Sequence, residues 1–160
     1  MPMARAKCNS SASGAPLVHG KDERMNSVNP SAKSLQANKD LVTEYIRLFY
    51  NDKDFGRARL LLTEGFVNHH PGVGAGRDRT VEAFSGAAAA MPGFSLTVRR
   101  IVAEGDQVWT HSVAKAAPDA QPAVVVDIWR IEDGRLAEHW DVAQGVPEDS
   151  SLEELVDEAG

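Results

Sequence analysis

Cysteine is almost absent: the chain has one, Cys8. A lone thiol forms no internal disulfide, so the fold must rest on an apolar core, and a reducing compartment, the cytoplasm, is the expected location. Cys8 also sits in a segment without periodic pattern, which argues against a catalytic thiol. Long hydrophobic runs are missing as well. No stretch approaches the ~20 apolar residues a membrane helix needs. Arg5 and Lys7 are not followed by the continuous apolar region of a signal peptide. Basic residues are in deficit, with 17 Lys and Arg against 23 Asp and Glu and a formal net charge of −6. A nucleic-acid partner needs the opposite balance, because phosphates are met by a Lys/Arg excess. The balance suits a neutral or weakly charged ligand.

What is present is ordinary globular material: 160 residues, 42% apolar and 25% charged, within the size of one domain and long enough to bury a core unaided. Residues 1–37 read as a flexible arm, rich in Ser, Asn, Gly, Pro and Lys, with few sizeable aliphatic anchors, Leu17, Val18 and Leu35 among them. Met25 is an alternative start. Residues 38–148 form the folded domain, and 149–160 an acidic tail in which Leu152, Leu155 and Val156 suggest a last helical turn.

Asn38 is the expected N-cap of a first helix, whose apolar stripe is Leu41, Val42, Tyr45, Ile46, Leu48 and Phe49. Asp54 is placed to cap a short second helix through Leu62. Phe66 to His70 is extended and stops at Pro71. A loop with Gly72, Gly74 and Gly76 leads to a helix from Arg79 to Met91, capped by Asp78, with Val81, Phe84 and Ala88 as a narrow buried face. After Pro92-Gly93 the period becomes two. Four strands are expected: Phe94–Ala103, Val108–Ala116, Ala123–Glu132 and Arg135–Val142. Their turns, Glu104-Gly105-Asp106 and Glu132-Asp133-Gly134, are short hairpin signals. Helices followed by an antiparallel meander make an α+β fold, with the helices on one side of the sheet.

Val124-Val125-Val126-Asp127-Ile128-Trp129 carries the clearest chemical signal. Both faces of that strand are apolar around a single carboxylate. Burial disfavours the ionised form of such a group, which suits a general base tuned toward neutral pH. The alternative is a structural Asp paired with Arg99, Arg100 or Arg130, or lying at a solvated strand end. His111 lies mid-strand with Trp109 and Val113 on its face. By itself it reads as a core histidine; beside Asp127 it reads as a proton shuttle or carbonyl donor. His69 and His70 are adjacent and must diverge, so at most one faces a pocket. A metal site has little support, since there is no His-Glu-x-x-His element and no cysteine cluster. In Glu138-His139-Trp140-Asp141, either Glu138 and Trp140 or His139 and Asp141 face inward. Trp129 and Trp140 suit either an aromatic pocket lining or plain core. The glycines make no phosphate loop, and no Ser stands in a nucleophile elbow.

Three segments resemble the SnoaL-like polyketide cyclase family of the nuclear transport factor two and ketosteroid isomerase superfamily. They are Phe66-Val67-Asn68-His69-His70-Pro71, Ile101 to Val108, and Val126-Asp127-Ile128-Trp129-Arg130 running into Asp133-Gly134-Arg135-Leu136-Ala137-Glu138-His139-Trp140-Asp141. The resemblance spans about Asn38 to Glu148. It implies a cone, in which N-terminal helices pack on the concave face of a strongly curved antiparallel sheet and leave a deep pocket. It also implies a cofactor-free and metal-free reaction: Asp127 abstracts a proton next to a carbonyl, His111 assists, and His69 lines the pocket. His70 departs from the family pattern, which has Asn there, and the Ala/Pro-rich loop 116–122 has no clear counterpart. The expected apolar lining is Met91, Phe94, Trp129, Trp140, Trp109 and Phe66. The expected reaction is aldol cyclisation or isomerisation of a small hydrophobic carbonyl compound. Hydrolysis or dehydration on the same fold, and a binding or dimerisation role without catalysis, are the alternatives. A sheet apolar on both faces needs cover, so a homodimer is expected.

Overall fold

The computed structural model describes residues 31–157. The arm up to residue 30, with Cys8 and Met25, lies outside them. Helix α1 spans Ala32–Ile46, and Ser31 caps it by accepting from the Ser34 N–H at 3.2 Å. The helix therefore begins before the expected cap. Asn38 lies within it and points its amide at the Gly105 carbonyl. The apolar stripe starts only at Leu41 because the first turns face solvent.

The helix continues into a π-helical turn, Arg47–Asn51, in which the Asp52 N–H reaches the Arg47 carbonyl at 2.8 Å. Leu48, Phe49 and Tyr50 are all buried there. Asp54 caps α2, Phe55–Arg59, as expected, although α2 ends before Leu62. Helix α3, Arg77–Ala90, starts at Gly76 without a side-chain cap, so Asp78 lies in its first turn instead of preceding it.

Six strands form one curved, unclosed sheet in the order β2-β1-β6-β5-β4-β3. They are β1 Leu62–Asn68, β2 Gly74–Ala75, β3 Ser95–Glu104, β4 Gln107–Lys115, β5 Ala123–Glu132 and β6 Arg135–Gly145. Strands β3 to β6 are the expected antiparallel meander. Asp133 and Gly134 both take positive φ, 49° and 72°, as a type I′ hairpin turn requires. The expected short extended piece becomes β1, which pairs parallel with β6 and makes the sheet mixed.

The inner face of the sheet carries Val108 and Thr110 on β4, Val125, Asp127 and Trp129 on β5, and Leu136 and His139 on β6. Against it pack Val42, Tyr45, Ile46 and Phe49, with Leu62 and Phe66 of β1. Burial of that apolar area is the main favourable term holding the fold. On the outer face a short helix, α4 (Leu152–Val156), seats Val156 on Val113 and Val124. The rest of that face leaves Val142 71%, Val102 60% and Trp109 44% exposed. Among the described residues no helix is long and apolar enough to cross a membrane.

Candidate functional site

Asp127 lies in the interior, 3% exposed. Its cross-strand neighbour on β4 is Thr110 and on β6 is Asp141. The Thr110 hydroxyl donates to Oδ2 at 3.1 Å, and His139 Nε2 stands 3.0 Å from Oδ1. His139 is equally buried and stacks on Trp129, with ring centroids 4.0 Å apart. Its Nδ1 is 3.3 Å from Asn68 Oδ1, which also accepts the His70 backbone N–H at 2.9 Å. That second bond sets the amide orientation, so His139 Nδ1 is a donor. Partners on both carboxylate oxygens are the arrangement that makes a carboxylate tolerable in a core.

His111 is not next to this pair. Side chains alternate along a strand, and because Thr110 faces Asp127, His111 points out of the opposite face beside Val126. There its Nδ1 meets the Arg100 guanidinium at 3.1 Å, and Arg100 also donates to the Val156 carbonyl at the end of α4. The same alternation puts His139 and Asp141 inside and Glu138 and Trp140 outside. Trp109 is likewise outside, its indole N–H bonded to Gln107 at 3.2 Å.

The two adjacent histidines diverge. His69 turns outward, stacks on Trp140 at 4.5 Å and bonds Glu138 at 3.0 Å. The His69 contact and the Arg130 guanidinium at 2.7 Å hold the Glu138 carboxyl below its ordinary range. His70 turns inward and places Nδ1 2.8 Å from Asp141 Oδ2.

His70 lines a cavity of about 240 Å³ bounded by the π-turn, α3 and the start of β3. Phe49, Phe55, Val73, Phe84, Met91 and Phe94 make most of its wall, with Ala83, Ala87 and Ala88 of α3. The polar groups are His70, Tyr50 and Lys53. Small-molecule sites have this character, an apolar wall with a few convergent polar groups. Of the expected lining, Met91 and Phe94 are present. Trp129 and Phe66 are fully buried core beneath it, and Trp109 and Trp140 belong to the outer face. Asp127 does not line the cavity.

Burial pushes the Tyr50 hydroxyl well above its ordinary value, with Tyr45 and the carboxylates of Asp127 and Asp141 adding to the effect. Tyr50 therefore keeps its proton at neutral pH, and its hydroxyl has no hydrogen-bond partner among the described residues. Lys53 has φ of 58°, and its ammonium donates to the carbonyls of Tyr50 and, at 2.5 Å, Phe94. Burial lowers the ammonium's pKa. A wider polar groove of about 510 Å³ lies on the outer side, but its Arg130, Glu132 and Glu138 are already paired with one another. Among the described residues no three His, Cys, Asp or Glu side chains converge as metal ligands.

Tyr50 and Lys53 are not among the site residues expected from the sequence, which leaves open whether His69 or His70 faces the pocket and, through the family resemblance, favours His69. For His70 the available signal was the Asn68-x-His70-Pro71 spacing, which suits an Asx turn; for Tyr50 it was the apolar run Leu48-Phe49-Tyr50. Lys53 gave no signal.

No curated protein sequence matches the chain at a significant level. Among solved structures, IdmH from Streptomyces antibioticus, a candidate polyketide cyclase, is 25% identical, with a TM-score of 0.57 over 67% of this chain and 91% of its own. A candidate ketosteroid isomerase from Kribbella flavida is 20% identical, with a TM-score of 0.61 over 79% and 92%. An M. tuberculosis LEH-like epoxide hydrolase is 20% identical, with a TM-score of 0.57 over 69% and 85%. At 20% identity the likeness concerns the fold. The family model of the SnoaL-like domain matches residues 42–139, most of the folded part, and the chain belongs to that SnoaL-like domain family.

Proposed function

We propose that this chain is a cofactor-free enzyme that moves a proton next to a carbonyl in a small hydrophobic ligand, as in aldol cyclisation or isomerisation. The supporting observation is the cavity, whose largely apolar wall includes His70, bonded to Asp141 outside the lining, and a protonated tyrosine, Tyr50. Removing a proton next to a carbonyl leaves negative charge on the carbonyl oxygen. A hydroxyl donor held in a largely apolar pocket meets that charge with little reorganisation, and one such donor is worth roughly 10²–10³ in rate. Tyr50 is that donor in this reading. Proteins similar in structure include cyclase and isomerase candidates, which supports the same chemistry.

The test is deuterium exchange at the α-carbon, followed by proton NMR with cyclohexanone, a tetralone and a cyclic β-keto ester. Exchange above the buffer rate by the intact protein, reduced about 10²–10³-fold in Tyr50→Phe, is the expected result. Ligands that bind without exchanging would move the reading to hydrolysis or to a binding role. The epoxide hydrolase likeness makes a small epoxide the substrate to try next. In this reading a second copy of the chain covers the apolar outer face of the sheet.

A further inference from the structure

We infer that His70, oriented by Asp141, is the base that takes the substrate proton, and that Asp127 is not. The inference rests on the reading above and assigns its central step. Both oxygens of Asp127 already have partners, Thr110 on Oδ2 and His139 on Oδ1, and the residue does not line the cavity. His70 does. Its Nδ1–H donates to Asp141 Oδ2 at 2.8 Å, which leaves the lone pair on Nε2. Nε2 has no hydrogen-bond partner among the described residues.

The imidazole is held from several directions. Its backbone N–H is fixed by the Asn68 side chain at 2.9 Å, and its carbonyl accepts the Val73 N–H at 3.1 Å. Its ring sits against Phe84 with centroids 6.2 Å apart. Pro71 further restricts its backbone. Preorganisation of this kind is what a proton-transfer group needs, and it exceeds what a half-exposed ion pair requires for stability alone.

The step balances within the cavity. The C–H bond next to the carbonyl breaks, and the proton passes to His70 Nε2. The electron pair forms the enolate double bond, and the charge on oxygen is met by the Tyr50 hydroxyl. Asp141 stabilises the imidazolium while it lasts, as a positioning residue, and the proton returns to carbon when the enolate collapses.

The experiment uses the full chain and the same exchange assay. His70→Gln should lower α-carbon exchange about 10²–10⁴-fold, the usual range for a positioned general base, with thermal melting and ligand binding retained. His70→Ala should lose exchange and regain part of it on addition of imidazole. Asp141→Asn should lower the rate at saturating ligand without changing the ligand affinity. A folded His70→Gln that exchanges at the intact rate, or a folded and ligand-binding His70→Ala that imidazole does not restore, overturns the assignment. Loss of exchange in Asp127→Asn with retention in His70→Gln places the base at Asp127 and leaves the proposed function standing. No exchange by the intact protein with ligands that bind overturns both.

Discussion

A carboxylate and an imidazole share the interior of the sheet, and neither is tolerable there without the other. Asp127 and His139 stand 3.0 Å apart with Thr110 and Asn68 at either end. Removing one partner strands the other in a core where water does not replace it, at a cost of about 3–5 kcal/mol for a buried pair. His139→Leu should therefore lose stability on that scale in urea unfolding. The double variant Asp127→Val with His139→Leu should lose less than the two single changes summed, because no unpaired group remains. On the outer face Glu138 presents the pH-dependent case. The His69 contact and the Arg130 guanidinium hold its carboxyl below the ordinary range. The folded state thus binds that proton more weakly than the unfolded chain does. The stabilisation is present above the ordinary carboxylate value and is lost as pH falls through the folded one. Glu138→Gln should flatten the acid limb of a stability–pH curve measured by urea titration, and leave the neutral limb with the same slope.

Two connections around the cavity show how an element's position is held by a single contact. Asn51, the last residue of the π-turn, donates to the Leu96 carbonyl at 3.0 Å and accepts the Leu96 N–H at 2.9 Å, tying the turn to β3 as another strand would. Asn51→Ala should cost about 1–3 kcal/mol, since it leaves buried backbone groups without partners. Hydrogen exchange at the Leu96 amide should quicken with it. Gly93 precedes β3 and lies against loop 116–122. A Cβ there would come within 2.9 Å of Pro118 Cδ and 3.3 Å of Ala117 Cα. Gly93→Ala should destabilise by about 1–3 kcal/mol through overpacking. Gly86 in α3 has nothing within 4 Å of its Cβ position, so Gly86→Ala should stabilise by about 0.5–1 kcal/mol. Comparing the melting temperatures of the two variants checks both signs. Loop 116–122 thereby has a role in this chain, packing against Gly93 between α3 and β3.

At the scale of the whole molecule, the sheet has two differently furnished faces. The inner one is covered by α1, the π-turn and α3. Among the described residues the outer one has only α4 at one end and keeps Val142, Val102 and Trp109 exposed. If a second copy covers that face, sedimentation should give a dimer, and Val142→Glu with Trp109→Lys should shift it to monomer with melting retained at low concentration. A monomer for the intact chain removes the proposal.

The α+β order, the four meander strands and both hairpin turns were legible in the sequence, because alternation and turn chemistry are local and strong. So were Asp127 as a lone carboxylate on an apolar strand and the restriction of His69 and His70 to one inward member. The parallel pairing of β1 with β6 was not legible, since it joins segments far apart in the chain, and neither was the start of α1, whose first turns carry no apolar stripe. The period of two says which residues share a face, but not which face is covered. That choice belongs to the cross-strand register. It set Thr110 and not His111 opposite Asp127, brought His139 onto Asp127, and turned Trp109 and Trp140 outward. The sequence by itself determined the elements and the residue types able to move a proton. Only the tertiary structure decided that His70 and Tyr50 meet at one cavity with Asp141 bonded to His70, because the three come from a loop, a helix end and a strand that only long-range packing brings together.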